Sequence, residues 1–161
     1  MKDNELKEQA MEYFQQAYEH QLRGELEEAI ELYKQSIQIY PTAEAYTFLG
    51  WTYSFEGKLQ EAIEECHRAI QVDPDFGNPY NDIGSYLIEL GKPEEGIPWL
   101  EKAKKAKRYE ARCYPYYNLG RIYESKGKWK EAIEEYKDAL KETPGYTLAE
   151  HAIISLQARM N

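Results

Sequence analysis

Gly24-Glu-Leu-Glu-Glu-Ala-Ile30 returns as Gly57-Lys-Leu-Gln-Glu-Ala-Ile63, then as Gly91-Lys-Pro-Glu-Glu-Gly-Ile97, then as Gly127-Lys-Trp-Lys-Glu-Ala-Ile133. The leading glycines are spaced by 33, 34 and 36 residues, a period that marks a stack of repeated supersecondary units. Ahead of three of them stands a second shared block: Tyr46-x-x-Leu49-Gly50-x-x-Tyr53, Tyr80-x-x-Ile83-Gly84-x-x-Leu87 and Tyr116-x-x-Leu119-Gly120-x-x-Tyr123. The first copy is degenerate there, with Tyr13, Gln16, Ala17 and His20. Pro41, Pro74 and Pro144 close three copies; the third has no such proline and carries two extra residues before Tyr116.

Each position fits a helical hairpin. Tyr46, Leu49, Gly50 and Tyr53 follow the i, i+3, i+4, i+7 spacing of one helical face. A glycine within that face lets a neighbouring backbone come close, and the glycine seven residues later tolerates the left-handed conformation that ends a helix. Ala62, Cys66 and Ala69 form a matching face downstream, as do Ala132, Tyr136 and Ala139. Proline then stops the second helix. The pattern predicts first helices near 4–22, 43–56, 78–90 and 113–126, and second helices near 26–39, 59–72, 93–107 and 129–142.

These residues resemble the tetratricopeptide repeat family, over roughly residues 10–144. The resemblance implies an all-α, right-handed superhelix of antiparallel hairpins with about nine helices. Its repeats run near 10–42, 43–76, 77–112 and 113–144, within a single domain. Gly96 in place of alanine, Pro98 inside a helix and Arg108 in place of the closing proline depart from the pattern, and predict a looser joint between repeats three and four. Residues 146–159 form one more amphipathic segment, with Leu148, Ala152, Ile153, Leu156 and Met160 on one side. It reads as the capping helix that repeat arrays need.

Composition bounds the function. Apolar residues make up 42% and charged residues 30%, with a net charge of −9 and pI near 5.0. An acidic chain repels a phosphate backbone, so nucleic acid is a poor partner. No apolar run is long enough to insert in a membrane, and Met1-Lys2-Asp3-Asn4-Glu5 lacks a signal peptide's apolar stretch, so a cytoplasmic location is expected. Cys66 and Cys113 show neither a disulfide framework nor metal spacing. No phosphate loop, zinc motif or nucleophile elbow occurs, so neither catalysis, a metal nor a cofactor is expected.

The resemblance implies that first helices line a concave groove where partner peptides lie. Outside the packing stripe, repeat one offers Phe14, Tyr18 and Leu22, and repeat two offers Phe48, Trp51 and Phe55. Repeat three offers Asn81, Asp82 and Ser85, and repeat four offers Tyr114, Tyr117, Asn118 and Arg121. Aromatics on helix faces expected to be wet suggest anchoring of a partner; asparagines suit a peptide backbone and arginine a carboxylate. The competing reading is that some of these rings pack against the next repeat, Phe14 foremost. Chaperone-binding members grip a C-terminal carboxylate with a clamp of Lys, Asn and Arg. That pattern falls here on Phe14, Tyr18, Phe48, Asn78 and Asp82, or one repeat along on Thr47, Trp51, Asp82, Tyr114 and Asn118, and neither set supplies its cations.

Cys66, His20 and His151 fall on or near packing positions and read as core residues. Glu27-Glu28 and Glu64-Glu65 read as solvated faces. The run Lys102, Lys104, Lys105, Lys107 and Arg108 reads as cations favoured near a helix C-terminus, with an acidic-partner contact as the alternative. The functional expectation is an interaction module, a scaffold or co-chaperone-like adaptor that binds a protein or peptide in an aromatic groove. The alternative is a structural protein that self-assembles into homo-oligomers through the same rings.

Overall fold

A computed structural model describes residues 2–161. Nine helices follow one another among them: α1 (Lys2–Leu22), α2 (Leu26–Ile39), α3 (Ala43–Phe55), α4 (Leu59–Val72), α5 (Asn78–Glu89), α6 (Pro93–Lys105), α7 (Cys113–Ser125), α8 (Trp129–Glu142) and α9 (Thr147–Met160). They form the all-α superhelix of hairpins expected from the repeats. At the α3–α4 turn Gly57 takes φ +78°, and the Lys58 and Gly57 amides bond back to the Tyr53 and Ser54 carbonyls, both at 3.0 Å. A residue with a Cβ would be strained in that conformation. Thr42 starts α3 by accepting a hydrogen bond from the Ala45 amide at 3.1 Å.

The hairpins of repeats two to four close through the glycines Gly50, Gly84 and Gly120. A Cβ on Gly50 would stand 2.8 Å from the Ala62 carbonyl oxygen, so α3 and α4 cross nearly backbone to backbone. The degenerate first repeat closes through polar ties instead. Tyr33 donates its hydroxyl proton to Gln21 Oε1 at 2.6 Å, and Ser36 Oγ donates to the Ala10 carbonyl at 2.7 Å. Between repeats each second helix packs on the following first helix. First helices also touch one another, α1 with α3, α3 with α5 and α5 with α7, whereas second helices have no comparable contact. α1, α3, α5 and α7 therefore form the tighter inner row and line the concave side.

The loop between repeats three and four, expected from the sequence to make a looser joint, is engaged with the loop before α5 and with α3. The extra residues fold back onto the preceding loop as a short parallel bridge of Phe76 with Arg108. The Arg108 amide donates to the Asp75 carbonyl at 2.9 Å, and the Gly77 amide donates to the Arg108 carbonyl at 3.0 Å. Arg108 also pairs with Asp73 at 2.7 Å and Glu44 at 3.1 Å, joining α3 to both loops. Arg112 donates to the Lys104 and Ala106 carbonyls, meeting acceptors that the end of α6 leaves open. With Ala106 extended, α6 stops at Lys105, two residues earlier than its periodicity suggests.

Three further expectations change. In α9 the buried residues are Ala149 and Leu156, with Ala152 and Ile153 partly buried; Leu148 and Met160 are exposed, because α9 packs mainly on α8 and its far side stays open. His151 is exposed rather than packed, while His20 is half-buried with Nδ1 3.3 Å from Glu25 Oε2. Glu65 is buried beside Gly50 and paired with Arg68 rather than solvated, and burial raises its pKa.

The basic run is mostly structural. Lys102 stands over the Trp99 ring, and Arg108 is engaged as above. Lys104 Nζ lies 3.0 Å from Glu135 Oε2 and 4.5 Å from the centre of the Tyr116 ring, tying α6 to α7 and α8. Its side chain and that of Glu135 are 14% and 16% exposed, so Lys104→Ala strands a largely desolvated carboxylate. We expect a loss of about 2 kcal/mol by chemical denaturation, against little change for Lys105→Ala.

Candidate functional site: the concave groove

The inner row divides into an aromatic half and a polar half. In the first half Phe48 is the hub. Its ring centre lies 5.2 Å from Phe14, 5.8 Å from Tyr18, 6.0 Å from Trp51 and 6.3 Å from Tyr33. Phe14 also meets Tyr33 edge-on at 5.6 Å. Phe14 and Phe48 thus serve the joint between repeats one and two as well as the groove wall, as the packing alternative anticipates. Outward from them the wall opens: Trp51 is partly exposed and touches Phe55 at 5.0 Å, while Phe55 is 57% and Leu22 65% exposed. Trp51 and Phe55 therefore present ring surface that the fold's own packing leaves free.

A second aromatic group closes the other end. Tyr117 lies 5.5 Å from both Tyr136 and Tyr146, and Tyr114 lies 5.9 Å from Tyr146. Nothing in the local sequence marks Tyr146, at the entry to α9, because its partners are remote in the chain. It converts Tyr117 from a free anchor into a half-buried one, while Tyr114 stays 44% exposed.

Between the two groups runs a hydrogen-bonded line. Arg121 Nη1 donates to Asn118 Oδ1 at 3.1 Å, Asn118 Nδ2 donates to Asn81 Oδ1 at 3.0 Å, and Asn81 Nδ2 reaches Asp82 Oδ1 at 3.5 Å. Contrary to the expectation that Asn81 and Asn118 face a ligand, both are buried. Asn118 donates to Asn81 across the joint of repeats three and four, where an unpaired polar group would be costly. They brace the groove floor. Ser85 and Arg121 are partly exposed. Asp82 is also partly exposed, yet burial pushes its carboxyl pKa from 3.8 up to about 7, against a smaller lowering from Asn81.

Beside Arg121 the groove runs into a cleft of about 650 Å3 between α7 and α9, lined by Tyr117, Arg121, Glu124, His151, Ser155 and Arg159. Glu124 is occupied within it, accepting from the Tyr136 hydroxyl at 3.0 Å and lying 3.9 Å from Arg159. His151 and Arg159 are cleft residues that the repeat pattern does not indicate, since α9 lies outside the repeats. Among the described residues no cluster of His, Cys, Asp and Glu is arranged to hold a metal ion, and no helix is long and apolar enough to cross a membrane.

The chain matches known proteins chiefly through this architecture. No curated protein matches it. Several solved structures superimpose closely. PilF from Pseudomonas aeruginosa is 23% identical with a TM-score of 0.88, covering 96% of this chain and 70% of that one. MamA is 26% identical with a TM-score of 0.73, covering 89% and 84%. YrrB, described as a TPR protein with an unusual peptide-binding site, is 22% identical with a TM-score of 0.68, covering 94% and 77%. Tetratricopeptide repeat families match residues 13–42, 43–76, 78–109 and 113–146. Those matched segments fall on the successive hairpins from α1 to α8, and the chain belongs to the tetratricopeptide repeat family.

Proposed function

We propose that the chain is a protein–protein interaction module whose concave groove takes an extended or helical peptide, anchored on the rings of repeats one and two. The observation that carries this reading is the run Tyr18, Phe48, Trp51 and Phe55, whose outer members offer ring surface to solvent on an otherwise charged helical protein. Repeat four adds Tyr114 and Arg121 at the far end, and Asn81 and Asn118 hold the two repeats at a fixed spacing. YrrB, a neighbour in fold, has a peptide-binding site by its own description. A protein rather than a nucleic acid as the partner agrees with a net charge of −9. A scaffold or adaptor role follows.

Trp51→Ala and Phe55→Ala should each weaken peptide binding tenfold or more, about 1.4 kcal/mol or greater, with helical circular dichroism unchanged. Tyr117→Ala should also lower thermal stability, because Tyr117 packs on Tyr136 and Tyr146. Titration of peptides from a display library, with circular dichroism of every variant, makes the comparison. Normal binding by the Trp51 and Phe55 variants places the site elsewhere.

A second reading rests on α9, where Leu148, Ile154 and Met160 are 52%, 65% and 43% exposed. These residues suit self-association into homo-oligomers. Light scattering over a dilution series of the parent and Ile154→Glu separates the readings: a mass that is constant on dilution and equal to one chain excludes assembly.

A further inference from the structure

We propose that Asp82 is the seat for a basic side chain, lysine or arginine, of the peptide in the groove. This inference rests on the groove reading above and assigns the chemistry of one subsite within it.

The repeats themselves make Asp82 conspicuous. It stands two residues after the leading tyrosine of its block, where repeat two has Phe48 and repeat four has Asn118. Phe48 fills its place with ring contacts, and Asn118 fills its place with bonds to Asn81 and Arg121. Asp82 has one long contact, 3.5 Å from Asn81 Nδ2. The residues that act on it or feel its charge are Asn81 on its own helix, Tyr86 one turn along, Cys66 on α4 and Tyr109 in the loop after α6. Burial raises the pKa of Cys66, Tyr86 and Tyr109, so all three are neutral at physiological pH. No cation among the described residues pairs with the carboxylate. Arg121, at the far end of the polar line, is held on Asn118.

A carboxylate partly shielded from water, with one long hydrogen bond and no counter-ion, leaves a place for a cation from outside. The window that keeps Asp82 partly exposed admits one. On α3, the first helix that touches α5, Trp51 and Phe55 carry free ring surface of a kind that suits the aliphatic stem and cationic head of lysine or arginine. The net charge of −9 draws basic peptides toward the protein.

Ionisation supplies a signature. The folded carboxyl holds its proton to about pH 7, whereas the unfolded one releases it near 3.8. Asp82 therefore contributes a loss of stability to the free protein as pH rises across that window, and Asp82→Asn removes that contribution while those of Glu65 and Glu135 stay. Binding of a basic side chain requires the ionised carboxylate, so it strengthens as pH rises through 7.

The test uses a display library of random linear peptides selected on the full chain, on Asp82→Asn and on Trp51→Ala. The parent should enrich peptides containing lysine or arginine. In the best synthetic peptide, norleucine in place of the key lysine should cost tenfold or more in affinity. That difference should grow from about pH 5.5 to about pH 8.5 and vanish in Asp82→Asn. Thermal melting of Asp82→Asn at both pH values confirms that it folds. If the parent captures no peptide, or norleucine binds as well, or Asp82→Asn keeps the same preference, the Asp82 seat is overturned. Should that last result accompany loss of binding in Trp51→Ala, the aromatic groove stands without the seat. Should Trp51→Ala bind normally while Asp82→Asn loses the preference, the seat stands and the aromatic anchoring falls.

Discussion

Removing residues 146–161 is expected to leave a chain that aggregates and whose fourth repeat no longer melts cooperatively. α9 covers the outer side of the last hairpin: Ala149 and Leu156 are fully buried against a cluster that includes Cys113, Ala132, Ile133, Tyr136 and Ala139. Burial of Leu156 alone is worth about 2 kcal/mol, and Tyr146, Ala152 and Ile153 add to it. A repeat array depends on such a cap because each hairpin buries its apolar face only against a neighbour. Loss of Tyr146 would also free Tyr114 and Tyr117, spoiling the end of the groove together with the core. Light scattering and thermal unfolding of the truncated chain are the measurements. A monomeric product with the parent's melting temperature would remove α9 from the stability of the fold. Leu156→Ala gives a milder version, with an expected cost of about 3 kcal/mol.

The fold is legible in the sequence because its determinants lie close together in the chain and recur. The glycine that ends the first helix recurs in all four copies, and the glycine inside the packing stripe and the alanine facing it each recur in three, at the same offsets. The groove is legible only where one repeat decides the environment. Phe55 and Tyr114 stand out in the sequence and are exposed in the structure. Asn81 and Asn118 mislead because what occupies them is an amide in the next repeat, 37 residues away. A similar separation hides the pairing of Lys104 with Glu135, and of Arg108 with Asp73 and Glu44, so a basic run that looks free in sequence is mostly engaged. The third joint deceives for a related reason. A missing proline and two extra residues do suggest slack, but the gain from a backbone bridge and the Arg112 bonds is visible only when the two loops meet. The residues most open to a functional reading, Trp51, Phe55 and Asp82, are those whose local rule is broken with no internal compensation.

Gly120→Leu should destabilise the protein by about 3 kcal/mol or more, lowering its melting temperature by about 10 °C, with repeat four yielding first. A Cβ on Gly120 would stand 2.4 Å from Tyr136 Cε1 and 2.8 Å from Cζ, well inside van der Waals contact. The ring is held by its neighbours, although it borders the α7–α9 cleft. Tyr136 is 1% exposed, its hydroxyl is held to Glu124 Oε1 at 3.0 Å, and its face packs on Tyr117 at 5.5 Å. Moving it would break that bond and also open the α7–α9 cleft where the groove ends. Leucine adds more volume than a single Cβ, so α7 and α8 must separate. Gly127→Ala is the control, since Gly127 has φ +72° and a Cβ there would meet nothing within 4 Å. Its cost is the backbone strain alone, about 1 kcal/mol. Thermal denaturation of both variants, with amide exchange to locate the opening, tests the contrast between a crossing limited by contact and a turn limited by conformation. Equal melting of Gly120→Leu and the parent would mean that α7 and α8 do not cross closely at Gly120.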